Sequence, residues 1–326
     1  MPFAPHLTHA LALELACSLL FFAALRFKFP VRKLFLLLAW LGIALGPCLI
    51  PLNKPLARGL DAVFCVVLLA ETYDLRGYTR AGGQVSLLAF LASLLNPMWL
   101  VRARPPAEAR LSARENARLL AIRLPVVAVA IAITLLSYRP NPHRPFWEEH
   151  ACKVIPFYFA LAFGVNAIAA TFRLAGVKTL DPFGPVARSR TPAEFWRRWN
   201  RPAAQFFHHY VFLPAGGFRR PLRATFAAFL VSALVHEYLF TVTLGALQGF
   251  QMAFFLLNGC LAMATLRAKP RGGFALAAIA LTFLFELTAS VLFAVSVNHV
   301  ARLYDQPFPR WIRTWDRFTL QHFSVR

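Results

Sequence analysis

The sequence predicts an all-α integral membrane protein, a multi-pass helical bundle of about eight to nine transmembrane helices. Hydrophobic residues make up 58% of the 326 residues, and the mean hydropathy of +0.55 is that of a membrane protein. Apolar runs of bilayer-spanning length recur along the chain. They lie at about 7–25, 34–52, 83–101, 119–138, 150–172, 221–245, 248–267 and 273–299.

The net charge of +21 follows from 35 Lys and Arg residues against 14 Asp and Glu residues. In a soluble protein this balance would indicate nucleic-acid binding. Here the basic residues flank the apolar runs, where positive-inside topology and anionic lipid headgroups account for them. We therefore expect membrane lipids as partners and no nucleic acid.

The five cysteines lie in or beside apolar runs, their number is odd, and none is in a CxxC pair. This spacing predicts neither a disulfide framework nor a zinc motif. They are Cys17, Cys48, Cys65, Cys152 and Cys260.

The first two runs predict a helical hairpin around a basic cytoplasmic loop that contains Arg26, Arg32 and Lys33. Gly42 and Gly46 have the GxxxG spacing of closely packed membrane helices.

Residues 60–71 form an apolar run too short to cross comfortably. If this run and 83–101 both crossed, the arginine-rich loop 102–118 would lie outside the cytoplasm. The positive-inside rule therefore favours one of them, the shorter, as re-entrant or interfacial.

Segment 173–220 carries nine basic and two acidic residues, which places it in the cytoplasm. The uncharged turn 246–247 fits the opposite face, and the chain then returns, so that the C-terminus is outside. The tail predicts an amphipathic interfacial helix from the spacing of its aromatic residues. These are Trp311, Trp315 and Phe318.

The stretch 191–240 carries the chemistry of what we treat as a single membrane-embedded domain, residues 1–326. It begins with Thr191-Pro192-Ala193-Glu194, a helix start with a capping box. Aromatic residues then fall on one side of a helix and arginines on the other, which predicts a cytoplasmic amphipathic helix in the membrane plane. Its aromatic side holds Phe195, Trp199 and Pro202, its basic side Arg197, Arg198 and Arg201, and Asn200 lies at its deep end.

The apolar run 221–245 contains His236 and Glu237. Ionisable residues inside such a run are functional candidates. Ser232 and His236 are four residues apart and share a helix face, whereas Glu237 points about 100° away. Burial favours the neutral imidazole that a general base needs. A structural histidine bonded between helices is the alternative.

Three blocks together resemble the membrane-bound O-acyltransferase (MBOAT) superfamily. They are EFWRRWN at 194–200, YVFLPAGG at 210–217 and HEY at 236–238, in family order. EFWRRWN is most similar to the wax synthase branch, and HEY is also the form in sterol and diacylglycerol acyltransferases.

The resemblance implies a buried central cavity in which an acyl group passes from acyl-CoA to a hydroxyl. It implies no metal and no bound cofactor, with acyl-CoA as co-substrate. The family histidine corresponds to His236, the general base, and the family asparagine to Asn200, a hydrogen-bond donor to developing charge. The acceptor is a lipophilic alcohol, with a fatty alcohol, sterol, diacylglycerol or sugar hydroxyl left open.

Other candidates have two interpretations each. The arginines bind CoA phosphates or anchor headgroups, and the tryptophans anchor the interface or line the acyl channel. We take as substrate-binding candidates Trp196, Trp199, Arg197, Arg198, Arg201, Ser232 and Glu237. Glu286 and three asparagines are expected to pair across helices; the latter are Asn166, Asn258 and Asn298.

A competing interpretation is a transporter with a proton relay through His236, Glu237 and Glu286. Transporters commonly show repeated halves, and the sequence shows no internal repeat. HExxH, GxSxG and Walker motifs are also missing. Arginine-rich composition favours a bacterial inner membrane over the endoplasmic reticulum. The oligomeric state stays open.

Overall fold

The structure, a computed structural model, describes residues 3–27, 30–139, 141 and 143–324. In these ranges it contains twelve α-helices and no strand beyond one isolated bridge between Ala246 and Ser324. The helices are α1 (Phe3–Ala24), α2 (Val31–Leu45), α3 (Pro55–Arg80), α4 (Leu87–Leu94), α5 (Ala113–Ser137), α6 (Phe146–Leu174), α7 (Pro192–Arg198), α8 (Arg201–Phe207), α9 (Pro221–Leu244), α10 (Phe250–Thr265), α11 (Phe274–Ala301) and α12 (Arg310–Phe323).

Six helices of the described residues are long and apolar enough to cross a membrane, and α10 is a shorter apolar helix. The six are α1, α2 with its continuation to Leu49, α5, α6, α9 and α11. Their outer faces leave large apolar side chains exposed, such as Leu135 and Leu281, which lipid would cover. The prediction of an all-α, multi-pass membrane protein is therefore confirmed.

Residues 60–71 lie within α3 and do not form a re-entrant segment, one of the two arrangements predicted for them; an interfacial position stays a prediction. The helix runs unbroken for 26 residues. At its start Arg58 donates to the carbonyl of Val242 near the end of α9, and near its end Asp74 accepts from Tyr210, which precedes α9. α3 therefore extends along the whole length of α9.

The run 83–101 is the interrupted one. It contains only the eight-residue α4, which rises about 12 Å and cannot cross a bilayer. The chain turns at Asn96, whose side chain donates to the carbonyl of Lys178. The run 83–101 therefore does not form a membrane-spanning helix, and α3 is not among the six helices apolar enough to cross.

The α1–α2 hairpin packs closely, as the GxxxG spacing predicts. A Cβ atom at Gly42 would collide with Sγ of Cys17, and one at Gly46 would collide with the Glu14 carboxylate. Only hydrogen in place of a side chain permits this approach.

Buried ion pairs fasten the predicted cytoplasmic segments to the helices. Arg102 pairs with Glu71 and Asp74, each at 2.7 Å, and its guanidinium also donates to Ser93 Oγ at 2.6 Å. Such pairs neutralise the carboxylates of α3, which would otherwise be costly in an apolar surrounding. A second network joins Arg123 and Arg173 to Asp181 and Asn116.

α12 lies at the opposite end of the bundle from α7 and α8. Trp315 Nε1 donates to the carbonyl of Gln248 in the α9–α10 turn, and Asp316 pairs with His299 at 3.0 Å. The predicted tail helix is present, and its Trp311, Trp315 and Phe318 are exposed. Those side chains are positioned to enter a membrane interface.

Candidate active site

The first signature block forms a broken helix rather than the continuous one predicted. α7 ends at Arg198 and α8 begins at Arg201, with Asn200 between them in the left-handed region at φ 43°. Asparagine tolerates this conformation better than most residues. Its Oδ1 accepts from the Ala203 N–H at 3.4 Å, which caps α8, and its Nδ2 has no protein partner among the described residues.

α7 packs against α10, and its Trp196 side chain is directed into the bundle. The Ala193 N–H donates to Thr265 Oγ1 at the end of α10, and Trp196 Nε1 donates to Asn258 Oδ1 at 3.0 Å. Asn258 is seven residues earlier on α10, roughly 10 Å along its axis. The aromatic side of α7 therefore faces the bundle, where Trp196 has a polar partner, while Arg197 is exposed.

His236 has one ring nitrogen bonded and the other free. Nδ1 lies 2.8 Å from the carbonyl oxygen of Ser232. A carbonyl only accepts hydrogen bonds, so Nδ1 carries the proton and the neutral ring presents a lone pair at Nε2. Nε2 has no hydrogen-bond partner among the described residues, and the side chain is half-buried.

Glu237 is occupied by the backbone of the next helix. Its Oε1 accepts from the N–H groups of Gln248 and Gly249 at 3.1 and 2.6 Å, and its Oε2 accepts from Met252 at 3.1 Å. These are N–H groups at the start of α10, which lack partners within the helix. Glu237 thus caps α10 and fixes the α9–α10 hairpin.

Tyr238 completes the HEY block by reaching α2. Its hydroxyl donates to the carbonyl of Ala44 at 2.6 Å. Three consecutive residues therefore point in three directions, and only His236 keeps an unused polar atom among their described hydrogen bonds.

An aromatic wall joins Trp196 to His236. The imidazole and the Phe255 ring have centroids 4.0 Å apart, and Phe255 also contacts Trp196 at 5.6 Å. Phe293 contacts His236 edge-on from α11 at 6.3 Å. These rings give the base an apolar surrounding suited to a lipophilic substrate.

Asn200 and His236 are not in direct contact in the described structure. The residue beside Asn200, Trp199, stacks on Phe195 and Tyr158, each at a centroid distance of 5.6 Å. Phe195 in turn contacts Trp196. The prediction that Asn200 lies at the deep end of its helix is wrong, because Asn200 is exposed between α7 and α8. A substrate reaching both residues would extend from the aromatic wall to an open region.

The predicted basic residues divide into two groups. Arg198 pairs with Glu194, and Arg201 pairs with Glu108 and donates to the Asp181 carbonyl, so both hold the fold. Arg197, Arg219 and Arg220 are exposed. Arg197 lines a cleft of about 300 Å³ together with Arg190, Lys269 and Arg271.

The second signature block is also tied to the fold. Tyr210 donates to Asp74 Oδ1 at 2.8 Å, and burial together with that carboxylate raises the pKa of its hydroxyl. His208 accepts at Nδ1 from Arg104 at 3.2 Å, and burial followed by the arginine charge lowers its pKa. Both observations indicate a structural role for this block.

A larger cleft, of about 520 Å³, lies between α5 and α6 and contains none of the predicted site residues. This cleft is apolar, and the residues that line it include Pro125 within α5 and Pro156 within α6. We therefore place the candidate site at His236 and not in this cleft.

The sequence model of the membrane-bound O-acyltransferase (MBOAT) family matches residues 84–297, about two thirds of the chain. The chain belongs to this family. None of the curated proteins matches it. As a member of this family, it is an integral membrane O-acyltransferase that takes an acyl donor and a lipid acceptor.

Sequence reasoning missed Phe255 and did not identify the surroundings of Asn258 and Glu286. Phe255 gave no signal because phenylalanines are frequent throughout the chain. Asn258 was expected to join helices and does so, but its partner is Trp196 of the signature block. Glu286, expected to pair across helices, is buried against the Trp196 side chain and leaves Oε1 without a partner among the described residues.

Proposed function

We propose that this protein transfers an acyl group from acyl-CoA to the hydroxyl of a lipophilic alcohol, in a wax synthase-like reaction, with His236 as general base. The free Nε2 of His236 carries this proposal. Its tautomer is fixed by the Ser232 carbonyl, and its apolar wall suits a lipophilic acceptor.

In this mechanism Nε2 removes the hydroxyl proton as the alcohol oxygen attacks the thioester carbonyl carbon. The tetrahedral intermediate collapses, the carbon–sulfur bond breaks, and the CoA sulfur leaves with the proton returned by the imidazolium. The products are an ester and free CoA. Asn200, whose Nδ2 is unpaired, would donate to the carbonyl oxygen as negative charge develops there, which requires the bound substrate to draw Asn200 and His236 together, since the two are not in contact in this structure.

Acyl-CoA as donor is supported by the basic cleft of Arg190, Arg197, Lys269 and Arg271. Guanidinium and ammonium groups match the phosphates of CoA in charge. The cleft adjoins Glu194 and Thr191 at the start of α7, the helix that enters the bundle toward the aromatic wall. The acyl chain would follow α7 from the cleft toward His236.

The wax synthase-like branch is supported by EFWRRWN, and a fatty alcohol is our first choice of acceptor. We further propose a bacterial inner membrane as the location, with the endoplasmic reticulum as the alternative.

A transporter with a proton relay is the weaker candidate. Such a relay would need Glu237 to exchange protons, yet both of its oxygens accept backbone N–H groups of α10. Protonation of either oxygen would break the cap of that helix.

The test uses the purified chain in detergent, radiolabelled long-chain acyl-CoA, and fatty alcohol, sterol and diacylglycerol in parallel. We expect labelled ester and matching CoA release with wild type, and neither with His236→Ala. His322→Ala is the matched control, because His322 makes the same bond to a carbonyl four residues earlier, at 2.8 Å, but on exposed α12.

Ester formation with one alcohol names the acceptor class. If wild type neither forms ester nor releases CoA faster than a protein-free blank with any alcohol, the acyl-CoA reaction is contradicted.

A further inference from the structure

A polar cluster lies between α1 and α3, outside the residues matched by the family model. Glu14 of α1 faces Asp61 and Cys65, which are four residues apart on α3. One donor atom from each of these side chains lies within 4.8 Å of the other two, and all three side chains are buried. The Cys65 thiol is 3.0 Å from Glu14 Oε1.

The carboxylates of this cluster have unused oxygens. Asp61 is 5% exposed, and its carboxyl group lies close enough to that of Glu14 to share a proton; apart from that contact, neither of its oxygens has a hydrogen-bond partner among the described residues. The same holds for Oε2 of Glu14, which is fully buried. Buried carboxylates without partners are strongly unfavourable, so a neutralising species is expected between them.

The described residues supply no cation for this role. Arg58, one turn before Asp61, donates to the carbonyls of Ile50 and Val242 and has no ion pair. Elsewhere in the same helix the carboxylates Glu71 and Asp74 do have a cation, Arg102. The contrast indicates that the charge at Glu14 and Asp61 is balanced from outside the chain.

The donor set selects the class of ligand. Two carboxylates and a thiol suit a borderline-soft divalent metal such as Zn²⁺, whereas Ca²⁺ and Mg²⁺ prefer oxygen donors alone. In a tetrahedral zinc site the donor atoms are about 3.3–3.7 Å apart, a spacing expected from bonds of about 2.0–2.3 Å. Donors already within 4.8 Å would need to move by about 1 Å.

We propose that Glu14, Asp61 and Cys65 bind a divalent transition metal, best fitted by Zn²⁺, that ties α1 to α3. The thiol of Cys65 releases its proton on binding, and the thiolate and two carboxylate oxygens are the protein ligands. Tyr238 of the HEY block lies within electrostatic reach of all three. The metal is structural and takes no part in acyl transfer, so this proposal stands apart from the proposed function.

The test measures metal in the full-length chain, purified in detergent through a non-histidine tag. After incubation with Zn²⁺ and removal of free metal, we expect about one zinc per wild-type chain by elemental analysis. Cys65→Ser and Asp61→Asn are expected to lower the affinity at least about tenfold, since even outer-shell changes cost about 10–100-fold. Cys17→Ser is the matched control, a buried cysteine of α1 whose Sγ faces Gly42 on α2.

Cobalt substitution gives a second measurement, and the thermal shift of wild type a third that needs no variant. Wild type loaded with Co²⁺ should show a thiolate charge-transfer band that Cys17→Ser keeps and Cys65→Ser loses. Zn²⁺, but not Mg²⁺, should raise the thermal midpoint of wild type. Wild type with no bound zinc and no such midpoint shift would overturn the proposal and leave a proton shared between the carboxylates as the neutralising species.

Discussion

Two buried regions of this protein each contain a histidine, and they use it differently. His150 on α6 has both ring nitrogens bonded: Nδ1 lies 2.7 Å from the Tyr304 hydroxyl and Nε2 lies 2.9 Å from the Leu287 carbonyl. The side chain is fully buried, and its ring stacks on Phe146. Among the described residues, His236 has a hydrogen-bond partner at Nδ1 alone, and it keeps accessible surface.

The carbonyl partners fix opposite tautomers in the two regions. At His150 the Leu287 carbonyl requires a proton on Nε2, and the Tyr304 hydroxyl then donates to Nδ1. At His236 the Ser232 carbonyl requires the proton on Nδ1, which leaves the Nε2 lone pair unused. The two histidines therefore differ in whether one ring nitrogen is left free, and a free nitrogen is what the proposed role of His236 as general base requires.

The largest effect that this comparison predicts is on turnover. His236→Ala should lower kcat for ester formation by about 10²–10⁴-fold, the range of general-base contributions. His150→Ala should keep turnover near wild type per folded molecule, because neither ring nitrogen is free. The measurement is kcat with labelled acyl-CoA, normalised to the monodisperse fraction; equal losses in the two variants would contradict the distinction.

Stability should show the reverse order. His150→Ala removes the hydrogen bonds of both ring nitrogens, to Tyr304, Leu287 and Ser290, together with a packed ring, and should cost about 2–4 kcal/mol of unfolding free energy. His236→Ala removes one bond within its own helix and should cost less. Thermal unfolding in detergent tests this order, which a lower midpoint for His236→Ala than for His150→Ala would refute.

Two substitutions of Asn200 distinguish a chemical role of its carboxamide from its role in backbone conformation. Asn200→Gly keeps the left-handed conformation at φ 43° but lacks the carboxamide, and should lower kcat by about 10²-fold or more if that group stabilises developing charge. Asn200→Ala adds backbone strain to the same loss. If Asn200→Gly retains wild-type kcat while Asn200→Ala does not, the residue serves only to turn the chain.

Glu237→Gln should destabilise the protein by about 1–3 kcal/mol. Three backbone N–H groups at the start of α10 donate to the two carboxylate oxygens of Glu237, and a carboxamide has only one oxygen that can accept. Any fall in activity should follow from displacement of Phe255 on α10. Thermal midpoint and kcat are measured together, and a kcat loss as large as that of His236→Ala with an unchanged midpoint would indicate a direct chemical role instead.

The smallest expected effect concerns the basic cleft. Lys269→Glu should raise KM for acyl-CoA about 5–10-fold, equivalent to about 1 kcal/mol, and leave kcat nearly unchanged. The increase should shrink at high ionic strength because the contact is exposed. Lys178→Glu, also exposed but absent from the residues that line the cleft, is the control.

Apolar length predicted six membrane helices correctly, because length and hydropathy decide whether a helix can cross. The same criterion did not predict the full length of α3, because the carboxylates Glu71 and Asp74 make the end of this helix look polar in sequence. Their partner Arg102 lies 31 and 28 residues away, and no sequence window shows that these charges cancel.

The site was predictable where it depends on helical periodicity. The spacing of Ser232 and His236 placed them on one face, and the structure joins them through the Ser232 carbonyl. Glu237 was not interpretable in the same way, because its partners at 248–252 come close only through the α9–α10 turn. The proposed metal ligands Glu14, Asp61 and Cys65 likewise have no motif spacing, since two separate helices supply them.

The most direct test of the central claim isolates one atom. In His236→Asn, the side-chain amide nitrogen can replace Nδ1 as donor to the Ser232 carbonyl, while nothing replaces Nε2. With saturating acyl-CoA and the preferred alcohol, we predict a kcat at least about 10²-fold below wild type with an unchanged thermal midpoint. A kcat within about threefold of wild type would show that Nε2 is not the base, because the loss of a general base lowers kcat by about 10²–10⁴-fold.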